Sequence, residues 1–158
     1  MTILNIDFGK AKLASYGKKQ VAHAMFHKGK QFLAAATLLN RQQGYKDVVL
    51  HLLCQGIEII QKGLLLANDF DQYEPKLQKP LGHNLVRGSE LLKKAFHLKP
   101  LKKLVQDELQ MLSDYYSKHL LRYGGIHDVL GGGGRDLEFE RVFRRALALT
   151  IYGNKLFK

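Results

Sequence analysis

The sequence offers a single cysteine, Cys54, among its 158 residues, so no disulfide can form within the chain. That suits a reducing compartment. The opening residues, Met1-Thr2-Ile3-Leu4-Asn5-Ile6-Asp7, lack the basic stretch and apolar run of a secretory leader. Apolar runs such as Leu64-Leu65-Leu66-Ala67 are short and interrupted, well under the roughly 20 residues that span a bilayer. A cytoplasmic protein without membrane contact is therefore expected. No segment alternates polar and apolar residues with the period of a strand, and neither a repeat nor a low-complexity tail is present. The glycine run Gly131 to Gly134 lacks the Lys-Ser/Thr ending of a phosphate-binding loop. Its amides could still cradle an anion beside Arg135, or the run could serve as a linker. The seven histidines include no zinc-binding spacing of the His-Glu-x-x-His kind, so neither a metal nor a cofactor is expected.

What the chain does have is helical periodicity. From Lys18 to Arg41, Ala22, Met25, Phe26, Gly29, Phe32, Leu33, Ala36 and Leu39 share one face, and Gly44 stops the run. Tyr45 to Asn68 repeats the pattern with Val49, Leu52, Leu53, Ile57, Ile60, Leu64 and Ala67. The turn between the two is so short that they must form an antiparallel hairpin. Pro75 and Pro80 mark Asp69 to Leu81 as a loop. A shorter helix is predicted from His83 to His97 and another from Leu101 to Tyr123, with Tyr116 and His119 facing inward. Gly124-Gly125 break that helix, and a last one is predicted from Asp136 to Tyr152. The expected fold class is all-α, an antiparallel up-and-down bundle of about five helices. Residues 1–17 read as an N-terminal arm and 18–158 as one domain. A chain of this size buries roughly two-thirds of its unfolded surface, so it needs no staple.

Lys and Arg number 25 against 14 Asp and Glu, a formal charge of +11. Such a balance attracts polyanions and supplies the sequence-independent part of nucleic-acid affinity, although it also simply aids solubility. The basic residues cluster at Lys93-Lys94, from Lys99 to Lys103, and at Arg141, Arg144 and Arg145. On the second helix His51, Gln55, Glu58 and Lys62 make one polar stripe, with Glu58 and Lys62 a favourable i, i+4 pair. The stripe is either a solvated face or a polar seam in a groove, where a carboxylate would orient a cationic partner. Cys54 sits in an apolar stretch and reads as buried and inert. Chemically, the sharpest segment is Arg122-Tyr123-Gly124-Gly125-Ile126-His127. Arginine holds a phosphate through its fork and stabilises developing negative charge. Histidine titrates near neutrality and can exchange protons with a ribose 2′-OH or a departing 5′ oxygen. Metal-independent RNA cleavage needs those two roles. The plainer reading has Arg122 balancing a helix C-terminus and His127 sitting in a loop.

The order of these pieces is similar to a known pattern. A helix with Phe32-Leu33-Ala34-Ala35-Ala36 precedes one carrying Gly56-Ile57-Glu58-Ile59-Ile60-Gln61-Lys62-Gly63. A proline-bearing loop, Gly82-His83-Asn84-Leu85 and a helix ending in Leu121-Arg122-Tyr123 follow. Together they resemble the HEPN superfamily (higher eukaryotes and prokaryotes nucleotide-binding domain) over roughly Lys18 to Tyr152. The resemblance implies a helical bundle, often a homodimer. In many members an Arg and a His, four to six residues apart, line a cleft shared by two protomers that cuts RNA. Carried over, Arg122 and His127 would be that catalytic pair, with Glu58 a polar residue of the second helix. The implied role is RNA or nucleotide interaction of defence or toxin–antitoxin type. Active members usually carry a small polar residue after the arginine; here Tyr123 and Gly124-Gly125 follow. That resembles the branch found beside minimal nucleotidyltransferases, which implies a non-catalytic dimeric module with a nucleotidyltransferase or antitoxin partner. A helical scaffold without a ligand is the remaining alternative.

Overall fold

The computed structural model of the chain describes residues 15–123 and 139–158. Those residues form helices and no strand: α1 Ser15–Arg41, α2 Lys46–Asn68, α3 Phe70–Tyr73, α4 Leu85–Ala95, α5 Lys103–Ser117, α6 Leu120–Tyr123 and α7 Glu140–Leu156, with a 3-10 turn at Glu74–Lys76. The all-α class holds. Among the described residues there are seven α-helices rather than about five, and the two additional ones are single turns.

Helices α1 and α2 pack closely along an antiparallel seam. A Cβ placed on Gly63 would lie 2.7 Å from the backbone nitrogen of Phe26, and one on Gly29 would lie 2.8 Å from that of Ile60. The two backbones therefore approach where glycine leaves no side chain. The other flank of α2 meets α4, α5, α6 and α7, so Leu50, Leu53, Cys54, Ile60, Leu64 and Leu65 have no exposed surface. This explains a property the interrupted apolar runs did not suggest. By length and hydropathy α2 could cross a membrane, yet 67% of its most apolar window is buried inside the bundle. A central core helix meets the same criteria as a span.

Helix boundaries depart from the sequence reading for local reasons. Within the expected loop after Asn68, Asp69 accepts the Gln72 N–H at 3.0 Å and starts α3. Asn84 accepts the Arg87 N–H at 2.9 Å, so α4 begins at Leu85 and leaves His83 outside it. The predicted helix from Leu101 to Tyr123 breaks before its glycines. The Lys118 amide reaches back to the Asp114 carbonyl, and His119 turns the chain at φ +58°. His119 is consequently exposed rather than inward. Helix α7 starts four residues later than expected, where Glu108 of α5 accepts the Val142 N–H at 3.0 Å. It runs on past Tyr152 because Gly153 faces the Phe26 ring inside the core.

Candidate functional site

On α2, Glu58 is 8% exposed, so its carboxylate must find partners inside the protein. It finds three. Lys62 donates to Oε1 at 2.6 Å from one helical turn away. The Tyr116 hydroxyl donates to Oε2 at 2.6 Å from α5, and His83 Nδ1 lies 2.9 Å from the same oxygen. Burial alone would raise the Glu58 pKa, but the hydrogen bonds from His83, Lys62 and Tyr116 outweigh it and hold the carboxyl below its usual range. The Tyr116 phenol is raised by burial and by its bond to Glu58, so it stays a proton donor. The stripe on α2 is thus a polar seam rather than a solvated face.

More cations and imidazoles border this seam. The His51 ring stands 5.6 Å from the Tyr116 ring. Its Nδ1 is enclosed and has no hydrogen-bond partner among the described residues. Burial first, then the positive charges of Arg122 and His119, lower its pKa and favour the neutral ring. The His83 ring meets Tyr116 edge-on at 5.7 Å and His119 at 6.1 Å. Arg122 is exposed on α6, and Tyr123 is the last residue of that helix. Cys54, by contrast, is walled in; burial and the nearby Glu58 charge push its thiol up to about 12. An inert thiol is the consequence.

Four residues singled out in the sequence, His51, Glu58, Lys62 and Arg122, therefore share one cluster. His127 and the run Gly131 to Gly134 with Arg135 lie outside the described residues. The sequence reading did not single out His83, Tyr116 or His119 as site residues. Their signal was modest: polar rings at the start of one helix and on the inward stripe of another. The imidazoles and carboxylates do not form a metal-ligand set, since no three His, Cys, Asp or Glu converge suitably among the described residues.

Two hollows among the described residues lie elsewhere. An open hollow of about 370 Å³ is lined by Asn84, Arg87, Glu90, Lys94 and Gln110. A smaller one of about 90 Å³ gathers Lys93, Lys99 and Arg145, one from each basic cluster, together with Glu90. Neither contains an imidazole, so these two hollows and the titratable cluster are different places. No family model matches the chain, and no curated protein or solved structure does either.

Proposed function

We propose that this chain is a HEPN-like RNA-interacting protein that cleaves phosphodiester bonds without a metal at the cluster around Arg122. The observation that carries the reading is the place of Arg122: it stands on α6, which packs against α2 beside the cluster of His51, His83 and His119, and its charge is one cause, after burial, of the lowered His51 pKa. A guanidinium anchors a phosphate and stabilises charge gathering on it in the transition state. A neighbouring imidazole moves the proton: the Arg-to-His spacing puts forward His127, and position in the cluster puts forward the imidazoles around Glu58 and Tyr116. The net charge of +11 brings a polyanion to the surface. Assembly as a homodimer and a toxin–antitoxin setting belong to the same reading.

The test is cleavage of single-stranded RNA in EDTA. Wild-type protein should cut, and Arg122→Ala should slow it by roughly 10²-fold or more. Intact RNA in both samples would sink the catalytic reading. A specific feature favours a second one: Tyr123-Gly124-Gly125 stands where catalytic members continue differently. In that case RNA or nucleotide binds with an affinity that falls steeply with salt, and no strand is cut. Binding without salt dependence would remove the electrostatic basis of both.

A further inference from the structure

Binding a phosphate requires cations; it does not require two exposed imidazoles side by side with one tied to a buried carboxylate. Glu58 only accepts hydrogen bonds while ionised, so the proton between it and His83 sits on His83 Nδ1. In the neutral ring the opposite nitrogen, Nε2, then carries a lone pair. The His83 side chain is 52% exposed, which leaves that face of the ring open to a substrate. Tyr116 donates to the same Glu58 oxygen and packs edge-on against the ring, fixing its plane.

His119 completes the arrangement from the turn between α5 and α6. Its ring is 6.1 Å from that of His83 and inclined by 70°. The backbone there is left-handed at φ +58°, as it also is at Gln43 and His97 past the ends of α1 and α4, and this turn sets the ring beside His83.

Resting on the ribonuclease reading above, we propose that His83 and His119 are the acid–base pair, with Glu58 the positioning residue that fixes the tautomer of His83. His83 Nε2 takes the proton from the ribose 2′-OH. The freed O2′ forms a bond to the adjacent phosphorus as the P–O5′ bond breaks. His119, entering as imidazolium, gives its proton to O5′. The products are a 2′,3′-cyclic phosphate and a 5′-hydroxyl. One proton is taken and one is returned, so no oxidant, metal or other co-reactant is needed. Glu58 stabilises the imidazolium that forms on His83.

The experiment is cleavage of a single-stranded RNA in EDTA across pH 5–9 by the full chain and its variants, with RNA affinity and thermal melting measured on each. His83→Ala and His119→Gly should each slow cleavage by roughly 10²- to 10³-fold with little change in RNA affinity. Glu58→Gln should lose about tenfold and move the ascending limb of the pH–rate profile to lower pH. The groups that face His83 are Glu58 with its partner Lys62 on α2, Tyr116 on α5 and His119 on the turn. Of these only Glu58 changes charge by that substitution, and a merely structural residue would leave the limb in place. Should Glu58→Gln fail to fold, the two exposed histidine variants decide the matter alone. If both cut as fast as wild type, or only His127→Ala stops cleavage, the assignment is overturned and the ribonuclease reading stands. If wild-type protein leaves RNA intact, the ribonuclease reading falls and takes the assignment with it.

Discussion

Glu108 and Glu58 are buried to nearly the same degree, 6% and 8% exposed, yet their partners differ in kind. Glu108 on α5 accepts the Val142 N–H at 3.0 Å and one guanidinium nitrogen of Arg141 at 3.2 Å. It serves as a cap supplied by another helix, meeting an amide that the first turn of α7 leaves unpaired. Among the described residues Glu58 takes no backbone amide. Its three partners are titratable side chains from α2, α5 and the segment before α4, and one of them reaches solvent. A buried carboxylate met by a backbone amide and a guanidinium holds elements together. One saturated by phenol, ammonium and imidazole also sets their proton states, which is the property a reactive site requires.

The comparison breaks most readily at Glu108. Glu108→Ala leaves a buried amide at the start of α7 without its acceptor and should cost about 2–3 kcal/mol, read from urea denaturation at pH 7. Any RNA cleavage, expressed per folded molecule, should stay unchanged. A loss below about 0.5 kcal/mol would show the cap to be idle. Glu58→Gln should cost less at neutral pH, about 1–2 kcal/mol, because the amide still accepts from Tyr116. Its distinctive effect is in acid. The folded carboxyl titrates below its ordinary 4.5, so the stability it contributes is present above that pH and is lost as pH falls through the folded value. Wild type should therefore weaken more steeply than Glu58→Gln below about pH 4.5. Equal slopes would mean that the three hydrogen bonds do not favour the charged form.

The hairpin was legible because its signals are local. The spacing from Ala22 to Leu39, with Gly44 after it, marks α1, and Ala22, Phe26, Gly29, Leu33 and Ala36 are indeed buried. The wide burial of α2 was harder to read, since Leu50, Leu65 and Leu66 fall off the stripe and are buried all the same. The break at His119 had no glycine or proline to announce it. Half of the cluster was visible for the same kind of reason. His51, Glu58 and Lys62 lie on one helix, where i, i+4 arithmetic works, and Arg122 stood out by its spacing to His127. His83 and Tyr116 come to Glu58 from 25 and 58 residues away. No periodicity links them, and only the packing of α4 and α5 against α2 does so.

His51 offers the finest distinction within the polar region. Its Nδ1 is enclosed without a partner, and burial together with Arg122 and His119 lowers its pKa from 6.5. The unfolded chain therefore binds a proton at this ring at a higher pH than the folded chain does. Stability from the neutral ring is full above about pH 6.5 and is lost as pH falls through the lower folded value. His51→Gln should lie within about 0.5 kcal/mol of wild type at pH 7.5. It should flatten the fall of the urea midpoint as pH drops below 6.5. That window lies above the one assigned to Glu58, so the two substitutions act on separate limbs of one stability curve. If His51→Gln instead flattens the limb below pH 4.5, the ring and the Glu58 carboxylate titrate as one unit, coupled across Tyr116.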